Sequence, residues 1–163
     1  MIRKLLRFPH PILRKKAKAV KRVMPEIVRL IDDMTETMQA APGVGLAAPQ
    51  VGESVRVIVA DIGEGPIALV NPKLVEKSGS QTFTEGCLCL PGVEAPVERA
   101  AQVAVTGMDR SGKKVRIEAQ GLLATVLQHE IDHLDGIVFI DRVSDPGLIK
   151  HVPPEQEKKE ELI

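Results

Sequence analysis

Apolar residues recur at helical spacing in two segments of the chain. The first stripe predicts a helix from Pro25 to Ala40, because Pro25 stands in the first turn, where its missing N–H costs little. In the second segment, from about residue 120 to residue 134, apolar residues cover much of the helix circumference, and Gly136 follows as a typical helix end. We expect this second helix to run through the core between sheets, with its polar residues directed at a specific partner.

The middle of the chain changes to the period of two that β-strands show. Asn71-Pro72 is expected to end one strand, and residues 43–50, which are mostly small, are expected to form a loop. The predicted fold class is α+β, with antiparallel β-sheets packed around the central buried helix and a second, N-terminal helix. Two antiparallel hairpins are predicted from pairs of β-branched runs, at residues 55–59 with 67–70 and at residues 103–106 with 114–117.

Length and charge narrow the class of protein. The 163 residues fit a single domain, residues 1–163, in which about 155–163 form a charged tail. Lys plus Arg and Asp plus Glu both number 22, so no overall field draws the chain to nucleic acid or to an anionic membrane. No apolar run approaches the roughly 18 residues of a membrane span. Residues 2–22 contain nine Lys or Arg but lack the apolar region of a signal peptide, so we expect them in the mature protein.

Candidate chemistry lies on the second helix, in the sequence His129-Glu130-Ile131-Asp132-His133. Four residues span about one turn, so both histidines lie on one face and can bind one metal ion. Glu130 lies about 100° round the helix from His129, where it reaches a water molecule on the metal without being a ligand. A His-Glu-x-x-His sequence is expected by chance only about 0.01 times in a chain of this composition.

Two cysteines, Cys87 and Cys89, are candidates for the third ligand that a catalytic metal needs. They are too close in sequence for an ordinary structural disulfide, and free thiols fit a reducing cytoplasm, which is the expected location. Residues i and i+2 of an extended strand face the same way, so on spacing alone either sulfur can meet the metal.

Three segments together resemble the signature motifs of the peptide deformylase family, in the same order. They are residues 43–50 (GVGLAAPQ), 85–88 (EGCL) and 128–136 (QHEIDHLDG), and weaker similarity extends from His10 to Arg142. The resemblance implies an enzyme that removes the formyl group from the N-terminal formylmethionine of new polypeptides and releases formate. It implies N-formylmethionyl nascent peptides as partners, with transient ribosome association and with neither a specific nucleic acid nor a membrane.

The resemblance also implies the site residues. Cys87, His129 and His133 correspond to the ligands of one divalent metal ion, and Glu130 corresponds to the catalytic carboxylate. The ion implied is Fe²⁺, while Zn²⁺, Ni²⁺ and Co²⁺ suit the same donors. The family usually has Ser at the position of Cys89, so this chain brings a second thiol to the site.

These residues predict a mechanism. A divalent metal lowers the pKa of its bound water, so a hydroxide is available to attack the formyl carbon. Glu130 accepts the proton and returns it to the departing amine. The resemblance assigns the side-chain amide of Gln50 and the backbone N–H of Leu88 to stabilising the oxyanion, a task for which both donors are suited.

The peptide substrate is expected to bind in extended form, pairing with the chain as an added strand. The residues expected beside its backbone are Val44, Gly45, Glu85 and Gly86. An apolar pocket for its methionine side chain is expected among Val44, Phe83, Leu122 and Val126.

Two alternatives remain open on the sequence. A zinc peptidase of the His-Glu-x-x-His kind would cleave inside peptides, and it is distinguished by its substrate. A non-enzymatic structural metal module would close a tetrahedral shell with both cysteines and both histidines, and it would leave no ligand position for water.

Overall fold

Two α-helices organise the computed structural model, which describes residues 1–152. They are α1 (Pro25–Ala40) and α2 (Gly121–Leu134), so both predicted helices are confirmed. Gly136 follows α2 with a φ of 76°, as expected for a glycine at a helix end. Within residues 1–152, neither helix combines the length and apolarity needed to cross a membrane. The charged tail predicted at about 155–163 lies outside the described residues.

The strands form two antiparallel sheets. The strands described are β1 (Gly45–Ala47), β2 (Val57–Ala60), β3 (Ile67–Ser78), β4 (Gln81–Cys87), β5 (Leu90–Arg99), β6 (Gln102–Met108), β7 (Lys114–Gln120) and β8 (Lys150–His151). The five-stranded sheet has the order β1-β2-β3-β6-β7, and the three-stranded sheet has the order β4-β5-β8. Both predicted hairpins are confirmed, as β2 with β3 and as β6 with β7.

Alternate residues of β2 explain why both faces of the five-stranded sheet are covered. Val57 and Val59 pack with the apolar stripe of α1, whereas Ile58 and Ala60 pack with α2. A period-two strand with apolar residues at every position must bury both faces, and β2 is buried throughout. The predicted α+β fold with a central buried helix is therefore confirmed. A separate apolar cluster packs the three-stranded sheet against the segment that contains Phe139.

The prediction that residues 43–50 form a loop is wrong. It contains strand β1, which pairs with β2, and the 3₁₀ helix Ala48–Val51. Small residues lack the side-chain pattern that identifies a strand, so pairing with β2 decides the structure here. The consequence for the site is that this segment is fixed and buried.

The end of a strand predicted at Asn71-Pro72 is also wrong. Strand β3 continues to Ser78 through a register shift between Val70 and Lys73. Asn71 adopts a φ of 54°, which Asn tolerates better than most residues, and its side chain bonds to the backbone N–H and C=O of Val20. A β-bulge therefore stands where the sequence indicated a strand end.

Strand β5 was not predicted, because Pro91, Gly92 and Pro96 lie within it and such residues are depleted in strands. Its pairing with β4 also changes the place of one cysteine. Cys87 pairs with Leu90, so Cys89 lies in the tight turn between the two strands and not in an extended strand. The argument from strand alternation for Cys89 is therefore corrected, although its sulfur still reaches Cys87.

The N-terminal segment connects the three parts of the chain that form the site. The Leu6 N–H donates to the Gln50 carbonyl, and the Phe8 N–H donates to the Cys89 carbonyl, both at 2.8 Å. The Ala17 N–H donates to the carbonyl of Leu134, at the end of α2, at 2.8 Å. These bonds hold the 3₁₀ helix, the β4–β5 turn and α2 together.

Candidate metal centre

Three elements bring the predicted site residues together in the interior. Strand β4 ends at Cys87, α2 contributes His129, Glu130 and His133, and the 3₁₀ helix Ala48–Val51 contributes Gln50. Each of these five residues is at most 1 % exposed. Cys87 lies against Gln50 and His133, and His133 lies near His129 and Glu130.

The donor atoms form two overlapping groups that share His133. Atoms of Cys87, Cys89 and His133 lie within 4.8 Å of one another, and atoms of His129, Glu130 and His133 do the same. The Cys87 Sγ is 3.2 Å from the His133 Nε2 and 3.2 Å from the Cys89 Sγ. Both sulfurs thus lie close to His133, and His133 in turn lies close to His129 and Glu130.

The polar atoms without a partner fit a bound metal ion. In residues 1–152, the buried side-chain nitrogen and oxygen atoms without a hydrogen bond are His129 Nε2, His133 Nδ1 and both carboxylate oxygens of Glu130. A buried polar group without a partner costs free energy, so such a cluster indicates a ligand. Thiolate, imidazole and carboxylate groups are suitable neighbours for a divalent transition metal.

A carboxylate fixes the orientation of His129, a contact that sequence reasoning missed. The Glu85 Oε1 lies 2.8 Å from the His129 Nδ1. Arg99 donates to the same carboxylate through Nε at 2.6 Å and through Nη2 at 2.9 Å. Glu85 therefore accepts from the imidazole, so Nδ1 bears the proton and the lone pair of Nε2 is free for a metal.

The charge network continues to the surface through Asp132. Arg99 Nη1 donates to the Asp132 Oδ2 at 2.9 Å, and Arg142 donates to both Asp132 oxygens at 2.9 Å and 3.0 Å. The Arg142 side chain is 47 % exposed, whereas those of Arg99 and Glu85 are 4 % and 0 % exposed. The hydrogen bonds thus run from an exposed side chain at the surface to His129 in the interior. The four residues that form them are here called the support network: Glu85, Arg99, Asp132 and Arg142.

The pKa of Glu85 follows from these contacts. Burial alone raises the pKa of this carboxyl, but the hydrogen bonds from His129 and Arg99 outweigh burial and hold it below its usual value. Glu85 is therefore an anion at neutral pH. An anion behind His129 strengthens the imidazole as a metal donor.

On the other side of the site, burial is the main influence on the pKa values of three groups. Burial raises the pKa of the Glu130 carboxyl and of the Cys87 thiol, and it lowers the pKa of His133. A neutral His133 has the lone pair that ligation requires. A divalent cation would favour the thiolate and the carboxylate, because nearby positive charge stabilises their ionised forms.

Gln50 and Gly45 shape the space around Glu130 and Cys87. The Ala47 N–H donates to the Gln50 Oε1 at 2.9 Å, and the Gln50 Nε2 lies 3.5 Å from the Cys87 Sγ. A Cβ at position 45 would overlap the Glu130 carboxylate and lie 2.9 Å from Val126 Cγ1. Glycine is therefore required at position 45 for the carboxylate to lie against β1.

The predicted peptide-binding residues lie along two strand edges. Val44 and Gly45 lie at β1, an edge of the five-stranded sheet, and Glu85 and Gly86 lie on β4, an edge of the three-stranded sheet. Leu88 follows in the β4–β5 turn. Of the predicted methionine pocket, Val44 and Val126 are buried in the α2 core, with Leu122 packed against it.

An antiparallel α+β fold whose buried helix presents His-Glu-x-x-His to a cysteine defines a metal-dependent hydrolase. Comparisons with known proteins agree. The family model described as polypeptide deformylase matches residues 2–148. The peptide deformylase of Carboxydothermus hydrogenoformans is 49 % identical over 142 residues, covering 87 % of this chain and 93 % of that protein.

Solved structures give the same result. A peptide deformylase crystal structure from Legionella pneumophila has a TM-score of 0.86 and 43 % identity, covering 98 % of this chain and 92 % of that one. One from Synechococcus elongatus, in complex with actinonin, has a TM-score of 0.85 and 43 % identity, covering 87 % and 79 %. The chain belongs to the polypeptide deformylase family. It is an enzyme, a metallohydrolase that deformylates nascent peptides with a single metal ion.

Proposed function

We propose that Cys87, His129 and His133 hold the metal ion and that Glu130 moves the proton during hydrolysis of the N-formyl group. The observation that supports this most is the Glu130 carboxylate, which is fully buried beside both histidines without a hydrogen-bond partner among the described residues. Such a carboxylate is costly unless it serves a bound ion or a reacting proton.

When bound, the metal supplies Lewis-acid chemistry that activates water and polarises the formyl oxygen. Glu130 accepts a proton from the attacking water and returns it to the amine as the C–N bond breaks. Burial raises the pKa of the Glu130 carboxyl, which favours its holding a proton between the two transfers. His129 is kept in the required tautomer by Glu85.

Gln50 and Leu88 stabilise the oxyanion in this proposal. The Gln50 amide is held by the Ala47 N–H on its oxygen, so its NH₂ group is directed towards Cys87 and the reacting centre. A donor fixed before the reaction costs no reorganisation as charge develops. The peptide backbone pairs with the two strand edges, at Val44 and Gly45 and at Glu85 and Gly86.

The direct test of the reaction compares two substrates. The metal-loaded protein should release formate from formyl-Met-Ala-Ser and leave an internally cleavable peptide intact. Cleavage of the second peptide without formate release from the first would support a zinc peptidase instead.

The choice of sulfur has its own test. Cys87→Ala should lose the metal, whereas Cys89→Ser should retain one ion per chain, as measured by metal analysis of the purified variants. Cys87 is favoured because its sulfur contacts His133 directly at 3.2 Å. The reverse pattern of metal content would assign the ligand to Cys89.

For the metal itself we propose Fe²⁺, on the resemblance and on the donor set of one sulfur and two imidazoles. Metal analysis after anaerobic purification should then find iron. Zinc, nickel or cobalt at one ion per chain under those conditions would contradict this choice.

For the partner we propose transient ribosome association through the basic N-terminal segment, residues 2–22. Of its nine Lys and Arg side chains, only Arg3 and Arg14 form ion pairs with carboxylates of described side chains, and all but Arg3 are exposed. Sedimentation with ribosomes should fall steeply with salt. Sedimentation with ribosomes should be lost in a variant with Lys15, Lys16 and Lys18 changed to Glu. It should be retained in a control variant with Lys113 and Lys114 changed to Glu. Equal binding by both variants would exclude this segment.

We propose that residues 1–163 form a single catalytic domain in the cytoplasm. The family match covers residues 2–148, and the two cysteines are free thiols, as a reducing compartment would keep them. Limited proteolysis should leave one resistant fragment that contains α1, α2 and both sheets. Two separable fragments would contradict this organisation.

A further inference from the structure

Cys89 has no part in the chemistry proposed above, yet its thiol lies in the site. The turn between β4 and β5 brings its Sγ to 3.2 Å from the Cys87 Sγ. Both thiols are free and at most 1 % exposed. Residues two apart have Cα atoms within about 7 Å of each other, which is within or near the reach of a disulfide. The two sulfurs therefore need only small side-chain rotations to bond.

We propose that Cys87 and Cys89 form a reversible disulfide when the enzyme meets hydrogen peroxide, and that this modification protects the metal ligand from permanent oxidation. The proposal rests on the proposed function in one respect, the assignment of Cys87 as a ligand. Cys89 is then the resolving cysteine of the pair.

The chemistry balances in two steps. Hydrogen peroxide transfers one oxygen atom to the Cys87 sulfur, which becomes a sulfenic acid, and one water molecule is released. The Cys89 sulfur attacks that sulfur, the S–O bond breaks, the S–S bond forms, and the hydroxyl leaves with the Cys89 proton as a second water molecule. Two thiols are oxidised and one peroxide is reduced. A disulfide would deprive the site of the Cys87 thiolate, so a metal ion held by Cys87 would lose its sulfur ligand and would be released.

Access and reversibility both follow from the site. A site that admits a formyl group together with a water molecule also admits hydrogen peroxide, which has two heavy atoms, as a formyl group does. A disulfide between residues two apart strains the turn that holds them, and strained disulfides are reduced easily by dithiols. Without a neighbouring thiol, a sulfenic acid proceeds to sulfinic and sulfonic acids, which dithiols do not reverse.

The test compares the metal-loaded wild type with Cys89→Ser, which keeps the size of the side chain and removes only the resolving sulfur. Both proteins are treated with hydrogen peroxide and then with dithiothreitol and fresh metal. The readouts are intact mass, free thiols in denaturant and bound metal. We expect the wild type to lose two hydrogen atoms, both thiols and its metal, and to regain thiols and metal with dithiothreitol. We expect Cys89→Ser to gain two or three oxygen atoms on Cys87 and not to regain its metal.

Three outcomes would overturn the proposal. They are a wild-type mass that gains oxygen without losing hydrogen, a disulfide-linked dimer in non-reducing electrophoresis, and equal recovery of both proteins with dithiothreitol. Metal content before peroxide separates this proposal from the ligand assignment. Loss of the metal from Cys89→Ser before oxidation would contradict Cys87 as the sulfur ligand, while the wild-type mass would still decide whether the disulfide forms.

Discussion

Glu85 and Glu130 are both fully buried carboxylates beside His129, but their surroundings are opposite. Glu85 accepts hydrogen bonds from Arg99 and His129, and its pKa lies below the usual value because these contacts outweigh burial. Glu130 has no hydrogen-bond partner among the described residues, and burial raises its pKa. Glu85 belongs to the support network, and Glu130 belongs to what is here called the reaction side, the residues that the proposed function assigns to the metal and the proton: Cys87, His129, Glu130 and His133.

This difference shows how the fold divides the two tasks. The support network places opposite charges together, so that the cost of their burial is offset and His129 is held in one orientation. The reaction side leaves Glu130 and two imidazole nitrogens without hydrogen-bond partners among the described residues, and the proposed function assigns them to the metal ion and the reacting proton. Changes on the reaction side should therefore affect turnover, and changes in the support network should affect metal affinity and stability.

The largest effect is expected from Glu130→Gln. This change keeps the shape of the side chain and removes the carboxylate that is proposed to move the proton, so kcat should fall about 10³-fold or more. Metal content should stay at that of the wild type, as measured by metal analysis beside the formate-release assay. Glu118→Gln is the matched control on the exposed face of β7 and should leave kcat unchanged. Activity of Glu130→Gln close to the wild type would contradict its role.

Arg99→Met should give the largest loss of stability. It leaves Glu85 and Asp132 without their shared buried cation, and breaking a buried pair costs about 3–5 kcal/mol. Arg110→Met is the control, because its pair with Asp32 is more than half exposed and such pairs contribute about 1 kcal/mol or less. Urea unfolding of both variants measures the difference. Equal losses would mean that the support network does not stabilise the fold.

Glu85→Gln should lower metal affinity by about 10–100-fold, because the anion that orients His129 is replaced by a neutral amide. The kcat of the fully loaded variant should change much less than that of Glu130→Gln. Titration against a chelator of known affinity measures the first quantity. If affinity is unchanged and kcat collapses, Glu85 belongs with the reaction side.

The smallest expected effect is in the pH dependence of stability. Since the folded-state pKa of Glu85 lies below its usual value of 4.5, the contribution of its ionised form to stability is fully present above pH 4.5. That contribution is lost as pH falls from 4.5 through the lowered folded-state value. The stability difference between wild type and Glu85→Gln should therefore shrink over this acidic range in urea unfolding. A stability difference that grows as pH falls would contradict a folded-state pKa of Glu85 below its usual value.

The sequence predicted both helices and the placement of His129, Glu130 and His133 on one of them, but it did not predict the contacts of the support network. His129, Glu130 and His133 lie within one turn of helix, where 3.6 residues per turn determines which side chains are neighbours. Glu85 meets Arg99 across the β4–β5 hairpin, and that pairing depends on a strand whose prolines concealed it. Contacts within a helix are local, whereas contacts across a sheet depend on a register that the sequence does not state.

The choice between the two cysteines illustrates the same limit. Strand alternation suggested that both sulfurs face one way, and the structure brings both to the site through a turn instead. Gly45 was predicted to contact substrate. Its close approach to the Glu130 carboxylate appeared only when β1 was placed against α2.

X-ray absorption spectroscopy of the metal-loaded wild type tests the central claim most directly, because it counts the atoms bound to the ion. The division between support network and reaction side predicts one sulfur, two imidazole nitrogens and an oxygen from water, with the sulfur signal lost in Cys87→Ala and retained in Cys89→Ser. A shell of two sulfurs and two nitrogens without a water oxygen would contradict it, since the ion would then be a closed structural site.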